Sequence, residues 1–505
     1  MPGTNETSQH SPSPDTVAGL IARDAVGVAL LTVEGDVMEY PALRLEVERL
    51  ATQLRDVGLG PNDRIAIVLP NGPEMALVLL AAMSVGCAAP LNPKYREEEF
   101  RFYLDDLRAA ALLTIDGLSP AVLAAAPAGT TLIDVRGRGL AIDLVASASA
   151  AATSKIPSPS DEALVLHTSG TTSRPKIVPL RQSNLAHSAR NIASSLQMTS
   201  ADRSLNVMPT FHIHGIMAGF LAPLSAGGSI VCTPGFDAFA IHRWIDELHP
   251  TYYSAVPTMH QMVLARAPQP RTTTLRFVRS SSASLPAPVL ERLRDLFGVP
   301  VIEGYGMTEA SHQMTSNPLP PRVAKVSSVG VATGIEVAIL DKNNKVLAPG
   351  ERGEVAIRGA TVVSGYENNP AANATAFTDG WFRTGDEGML DDEGYLFLTG
   401  RLKEQINRGG EKISPLEIDG VLLRHPAVAE AVAFAIPHDK LGEEIGAVVV
   451  LSPGASAIES ELRAFVGEHL AAFKVPRRIL IVDEIPKGAT GKVQRIGMAE
   501  RLDLS

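Results

Sequence analysis

From residue 16 to about residue 340 the chain alternates short β-branched runs with amphipathic stretches, the pattern of a helix-flanked, largely parallel sheet. DRIAIVLPNG (63–72) reads as a buried strand closed by a Pro-Asn-Gly turn. PEMALVLLAAMSVG (73–86) then opens with proline at a helix start and ends on glycine. GSIVCTPG (228–235) repeats the strand-and-turn logic. After Val337 the texture changes to short alternating strands, EVAIL, GEVAIRG and GYLFLTG, separated by Gly and Asp turns, which predicts a smaller β subdomain. Past Gly400 come strand-like AEAVAFAI and GAVVVL, a helix over IESELRAFVGEHLAAF, and a strand RILIV, a compact α+β unit. The polar, glycine-bearing RLKEQINRGGEK is the expected interdomain hinge, and SASAAATSKIPSPSD (146–160) the expected exposed loop between two packed units. The pattern thus predicts an α/β protein: a loose tail over 1–15, a large N-terminal domain over 16–400 of helix-flanked sheets plus a small β subdomain, and a small α+β C-terminal domain over 401–505. No internal repeat is present.

Composition narrows the classes. At 505 residues the chain is too long for one hydrophobic core. A formal charge of -10 leaves no basic footprint, which argues against a nucleic-acid binder. Cys87 and Cys232 are too few for a disulfide framework, so a reducing compartment, the cytoplasm, is expected. The longest strongly apolar run, 75–83, is far shorter than the roughly 20 residues of a spanning helix, so no membrane span is expected. The polar start lacks the features of a secretory signal, and the terminal RLDLS is not a peroxisomal address. Among the histidines only His212 and His214 stand at a ligand-like spacing, too thin for a zinc site. None of these patterns encodes an oligomeric state.

The strongest chemical signal is HTSGTTSRPK (167–176), directly after the buried run ALVL. Thr168, Ser169, Thr171 and Thr172, with Gly170 and Lys176, can present backbone and hydroxyl donors to phosphate oxygens. Pro175 stands where a Walker A loop requires its second glycine, so this is a different kind of cradle. Alone, the hydroxyl cluster reads as a Ser/Thr-rich surface turn. Its company decides the matter: EGYGMTEA (303–310), RTGDEG (383–388), GRLKEQINRGGEKISPLEID (400–419) and PKGATGKVQR (486–495) follow in that order.

With these motifs the chain, from residue 16 to the end, resembles the adenylate-forming superfamily of acyl-CoA synthetases, luciferases and peptide-synthetase adenylation domains. FHIHG, YYSAVPTMHQ, RSSSASL and YGMTEASHQMTSNPLP, with Ser173 and Ile177 where the general pattern has glycine, narrow the likeness to oxalate–CoA ligases. The resemblance implies a ligase that joins a small carboxylate to ATP as an acyl-adenylate, releases pyrophosphate, and passes the acyl group to coenzyme A, with Mg²⁺ on the phosphates. It further implies that the C-terminal domain is mobile.

Roles follow from the same likeness. Thr168, Ser169, Gly170, Thr171, Thr172 and Lys176 would hold the β- and γ-phosphates. Ser282, Ala283 and Ser284 would wrap adenine with backbone, Tyr305 would stack on it, and Glu303, Gly304 and Gly306 belong to the same nucleotide motif. Thr308 would touch the α-phosphate and Glu309 would place the metal. Asp386 would accept the ribose hydroxyls with Arg401 as its partner, although alone it reads as a turn aspartate beside Gly385. Lys492 would cap the adenylation site, bridging the two anions that must meet, where a lone lysine would be a solvated charge and Lys487 serves as the bland neighbour. Lys403 would be the pivot between half-reactions, and Gly410, or Gly409 if the register slips by one, would let pantetheine pass.

A short diacid needs donors for its second carboxylate at the pocket floor, and His214, Ser281, Ser282 and His312 are the candidates, with His212 at the gate between acyl and CoA paths. His312 reads equally as a core histidine. Two other functions compete: a ligase for another short or aromatic acid, or one acting on a carrier protein, and a non-catalytic relative that senses AMP or acyl-CoA. Retention of Lys176, Glu309, Asp386 and Lys492 speaks against the sensor, which has no use for a capping lysine.

Overall fold

The computed structural model describes residues 13–21, 24–61, 63–115, 117–118, 120–147, 151–168, 175–267, 269–487 and 493–504. Among these, two large sheets form the body. In the nine-stranded sheet, the strands run Val331–Ala332, His312–Ser316, Val301–Met307, Phe277–Ser281, Tyr252–Ala255, Arg203–Asn206, Ser229–Cys232, Val28–Thr32 and Val37–Glu39 from edge to edge. The seven-stranded sheet runs Ala141–Ala146, Thr131–Arg138, Ala111–Thr114, Arg64–Val68, Cys87–Pro90, Glu162–Thr168 and Lys176–Arg181. Both are parallel in the middle and antiparallel at their edges.

The helix Pro73–Met83 shows how sequence positions these layers. Proline at its first turn is tolerated because that N–H has no intrahelical partner. Every residue from Met75 to Met83 is buried, as a helix that is apolar on all sides must be. It shares one core with Leu30 and Ile230 of the larger sheet and Ile65 and Leu164 of the smaller one.

Two smaller sheets follow. Glu336–Leu340, Gly353–Arg358, Phe377–Thr378, Trp381–Leu390 and Leu396–Arg401 make an antiparallel sheet, the expected β subdomain. The last sheet joins Ile406–Arg408, Glu411–Ile413, Val428–His438, Gly442–Leu451 and Arg478–Ile481, covered by the helices Pro415–Leu422 and Glu459–His469. The stretch expected to be all hinge is therefore divided. Residues 402–405 turn between the two sheets, whereas 406–413 form a hairpin because Ile406 and Ile413 face each other and are buried. The loop before Glu162 likewise differs from expectation: it joins Ala141–Ala146 to Glu162–Thr168, two strands of one sheet rather than two packed units. Of the expected tail, residues 1–12 lie outside the described residues, and Asp15 is held by Arg190 at 2.8 Å. Among the described residues no helix is long and apolar enough to cross a membrane.

Leu79, with no exposed surface at the centre of the buried helix, sets a test of this layering. Leu79→Ala leaves a cavity between the two sheets and is expected to destabilise the protein by about 2–5 kcal/mol, read as a lower thermal unfolding midpoint, while the exposed Leu45→Ala changes it by less than about 0.5 kcal/mol.

Candidate active site

The site grows from the C-terminal ends of three neighbouring parallel strands, Tyr252–Ala255, Phe277–Ser281 and Val301–Met307. After Met307 the chain makes one short turn, Thr308–Ala310, and returns antiparallel as His312–Ser316. The reversal holds Ser311 at φ 53° and His312 at φ 95°, conformations that side-chain-bearing residues adopt at a cost of roughly 1–3 kcal/mol each. It is pinned from both sides: Ser311 Oγ donates to the Thr361 carbonyl at 2.8 Å, and Ser188 Oγ donates to the Ser311 carbonyl at 2.5 Å.

Three residues far apart in sequence meet on the nucleotide side. Tyr305 donates its hydroxyl to Asp386 Oδ2, and Asp386 Oδ1 lies 3.0 Å from Arg401 Nε across a strand pair. Burial pushes the Asp386 carboxyl up, and the Arg401 charge opposes that shift. Tyr305 is thus tethered by its hydroxyl with its ring fixed beside the carboxylate. Glu309 is buried and accepts from Tyr366 Oη at 2.8 Å. The Lys176 ammonium stands 4.2 Å over the Tyr366 ring; burial pulls it down, Glu309 raises it and Lys403 lowers it. Thr168 and Lys176 face each other as the stem of a hairpin. The Ser169, Gly170, Thr171 and Thr172 part of the cradle lies outside the described residues.

Some expected nucleotide contacts have other tasks. Glu303 is buried, and its Oε1 accepts from the Leu285 amide at 2.9 Å. Its side chain therefore supports the 282–285 loop from below instead of facing a ligand, while Ala283 and Ser284 of that loop are exposed. Burial pushes the Glu303 carboxyl up to about 8. Gly306 packs so closely that a Cβ would stand 1.9 Å from the His312 carbonyl oxygen, so its glycine is required by the reversal itself.

On the acid side, His214 lies on the short helix Ile213–Ile216, preceded by His212 at its cap. His214 Nδ1 is 3.0 Å from Ser282 Oγ and Nε2 is 2.6 Å from Ser254 Oγ. Its ring stacks on His312 at 4.9 Å and 21°. The structure thus gathers three of the four proposed donors, His214, Ser282 and His312. Ser281 departs from expectation: its hydroxyl donates to the Gly304 carbonyl at 2.7 Å, so that proton is not available to a substrate. His212 is only partly buried, with its ring 4.7 Å from that of Phe211.

Sequence reasoning missed Arg279. It occupies the middle of a buried strand, FVRSS, and has no exposed surface. Its Nη1 donates to Ser254 Oγ at 3.0 Å and stands 3.4 Å from His214 Nε2, and Nη2 donates to Gln313 Oε1 at 3.0 Å. Gly304 makes room for it, because a Cβ there would lie 2.7 Å from Nη2. The signal was present in the sequence as a charged residue inside an apolar strand, where arginine is rarely found without a purpose.

In the C-terminal sheet Gly409 (φ 62°) and Gly410 (φ 97°) form the two-residue loop of the Ile406–Ile413 hairpin, a turn that needs positive φ at both positions. Lys403 lies in the turn 402–405. Lys492 lies outside the described residues. Lys487 stands 3.9 Å from Glu430 and pairs in backbone register with Val493. Among the described residues no group of three His, Cys, Asp or Glu could hold a metal alone.

The Glu303 geometry predicts a pH effect. Its folded-state value of about 8 stands above its ordinary 4.5, so the folded protein holds that proton more tightly than the unfolded chain. Its contribution to stability is therefore complete at low pH and is lost as pH rises from about 4.5 to about 8, by at most about 1.4 kcal/mol per pH unit. Glu303→Gln, which cannot ionise, should flatten this part of the stability profile in denaturant melts; equal slopes in the two proteins would contradict the assignment.

Comparison with known proteins identifies the family. The AMP-binding enzyme model matches residues 22–367, and the model for the C-terminal domain of AMP-binding enzymes matches 417–492. The chain is 45% identical over 501 residues to an oxalate–CoA ligase of Arabidopsis thaliana, covering 95% of this chain and 97% of that one. It is 42% identical over 471 residues to an oxalate–CoA ligase of Saccharomyces cerevisiae, covering 87% of each. Among solved structures, ATP-bound MatB from Rhodopseudomonas palustris superposes with a TM-score of 0.86 at 29% identity, covering 96% of this chain and 98% of that one. The chain belongs to the AMP-binding enzymes, in their adenylate-forming acyl-CoA synthetase branch.

Proposed function

We propose that this acyl-CoA synthetase takes oxalate as its acid. The observation that carries the proposal is the convergence of His214, Ser282 and His312 within hydrogen-bonding and stacking distance of one another, a few residues from the Thr308–Ala310 turn. These polar side chains suit a compact acid with a second carboxylate, which hydrogen-bond donors can hold. The similarity to two oxalate–CoA ligases supports the same reading.

In the first half-reaction one oxalate oxygen attacks the α-phosphorus of ATP, an O–P bond forms and the bond to the pyrophosphate oxygen breaks. Tyr305 stacks on adenine, Asp386 with Arg401 beside it accepts the ribose hydroxyls, and the Thr308 hydroxyl reaches the α-phosphate. Thr168, the 169–172 segment and Lys176 hold the outer phosphates. Lys492 offsets the repulsion between the two anions that must meet. A magnesium ion fits this donor set: a single buried carboxylate, Glu309, suffices when phosphate oxygens and water complete the shell, as is usual for magnesium on nucleotides. When bound, it would neutralise charge on the phosphates. In the second half-reaction the C-terminal domain turns about Lys403, the CoA thiol attacks the acyl carbon past His212 and Gly410, a C–S bond forms, and AMP leaves as the C–O bond breaks. Both cysteines are free and buried, in keeping with a cytoplasmic protein.

Two experiments test this. Oxalate is expected to support CoA-dependent AMP formation with kcat/KM at least about tenfold above acetate, malonate or benzoate; a higher value for any of these would replace oxalate as the substrate. The half-reactions should separate in two variants. Lys492→Ala should abolish oxalate-dependent pyrophosphate exchange and spare thioester formation from pre-made oxalyl-AMP. Gly410→Leu should do the reverse, because nothing lies within 4 Å of a Cβ at that position and the side chain would fill open space at the turn. Strain from φ 97° adds about 1–2 kcal/mol, so exchange activity also reports that the fold survives. Equal loss of both half-reactions in either variant would contradict its assigned role.

A further inference from the structure

Arg279 is a fully buried cation whose hydrogen-bond partners, Ser254, Gln313 and His214, include no carboxylate. Among the described residues its Nε has no hydrogen-bond partner, and no carboxylate pairs with it. Burying a charge without a counter-charge is strongly unfavourable, and proteins retain such an arrangement where an anion completes it.

The hydrogen bonds around the guanidinium run in one direction. Ser254 Oγ accepts from Nη1 at 3.0 Å, so its own proton points to His214 Nε2 at 2.6 Å, which Nη1 also faces at 3.4 Å. His214 Nε2 is therefore an acceptor, and the ring proton resides on Nδ1, which donates to Ser282 Oγ at 3.0 Å. Ser282 is left with its hydroxyl proton to give. The chain of donors begins at a fixed positive charge and ends at the residue assigned to the second carboxylate.

We propose that Arg279 is the positioning residue that makes this site select a dianionic acid: its charge, passed along Ser254 and His214 to Ser282, offsets the second carboxylate of the substrate. The inference rests on the reading of this pocket as the acid site. The charge acts at a distance, so the substrate need not touch the guanidinium, and a monoanion of the same length gains little from it. Arg279, facing Nε2, favours the His214 tautomer that carries its proton on Nδ1, toward Ser282.

Gln313→Glu tests this with Arg279 in place. The new carboxylate keeps the shape of glutamine, stands where Gln313 Oε1 now accepts at 3.0 Å, and cancels the buried charge. Gln313→Met removes the same hydrogen bond and cancels nothing. The ratio of kcat/KM for oxalate to that for glycolate, of equal length with one carboxylate, is expected to fall about ten- to hundredfold in Gln313→Glu, mainly through KM for oxalate, and to stay within about twofold in Gln313→Met. Arg279→Lys should keep more of the wild-type ratio than Arg279→Met. A ratio unmoved by Gln313→Glu, or an equal fall in Gln313→Glu and Gln313→Met, would overturn the proposal. The wild-type acid panel judges the oxalate reading separately: if another diacid is preferred, the ratio is measured for that diacid against its half-ester, and the same outcomes apply to Arg279. A wild-type preference for a monocarboxylate overturns both.

Discussion

The whole site depends on one tight reversal, in which the strand ending at Met307 turns through Thr308–Ala310 and comes back alongside itself. Tyr305, Thr308 and Glu309, the residues proposed to face the nucleotide, precede or form the turn. His312 and Gln313 follow it and join the acid-side network. In the proposed function the acid and the α-phosphate are held by neighbouring residues of this one excursion, which would give a bimolecular reaction between two anions the orientation it needs. The left-handed backbone at Ser311 and His312, the close approach of Gly306, and the bonds from Ser188 and to Thr361 are all consequences of turning within so few residues.

Around this reversal three charged groups are buried and each is compensated differently. Asp386 has Arg401 and the Tyr305 hydroxyl, which oppose the upward push that burial gives its carboxyl. Glu309 has the Tyr366 hydroxyl and the nearby Lys176, which oppose the upward push that burial gives its carboxyl, the group proposed to place the magnesium ion. Arg279 alone is completed by no carboxylate of the chain among the described residues. We trace the proposed preference for a dianion to that difference, because fixed charge in a water-poor interior discriminates between monoanion and dianion more strongly than neutral donors do.

Much of this was legible before any coordinates. Ordered motifs assigned Tyr305, Asp386 and Arg401 to one nucleotide although about 80 residues separate Tyr305 from Asp386, and the proline start, apolar run and glycine end of 73–86 marked the helix Pro73–Met83. What the sequence concealed was direction. RSSSASL offered four hydroxyls, but strand pleating turns Ser281 to the Gly304 carbonyl, and the left-handed turn at Ser282 brings a hydroxyl to His214. EGYGMTEA looked uniformly nucleotide-facing, yet Glu303 lies under a loop and Gly304 accommodates a guanidinium. Arg279 showed in the sequence only as a charge within a buried strand; that no carboxylate among the described residues pairs with it is set by what surrounds it in space. The Gly409–Gly410 pair shows the reverse: the hairpin accounts for both glycines before any ligand is invoked.

The central claim is that a carboxylate oxygen is joined to the α-phosphorus of ATP before CoA takes the acyl group. It is tested most directly by supplying oxalate labelled with heavy oxygen in both carboxylates, with ATP and CoA, and reading the products by mass spectrometry. The account predicts that one labelled oxygen appears in the phosphate of AMP and none in pyrophosphate. Label in pyrophosphate or orthophosphate, or unlabelled AMP formed together with oxalyl-CoA, would contradict it.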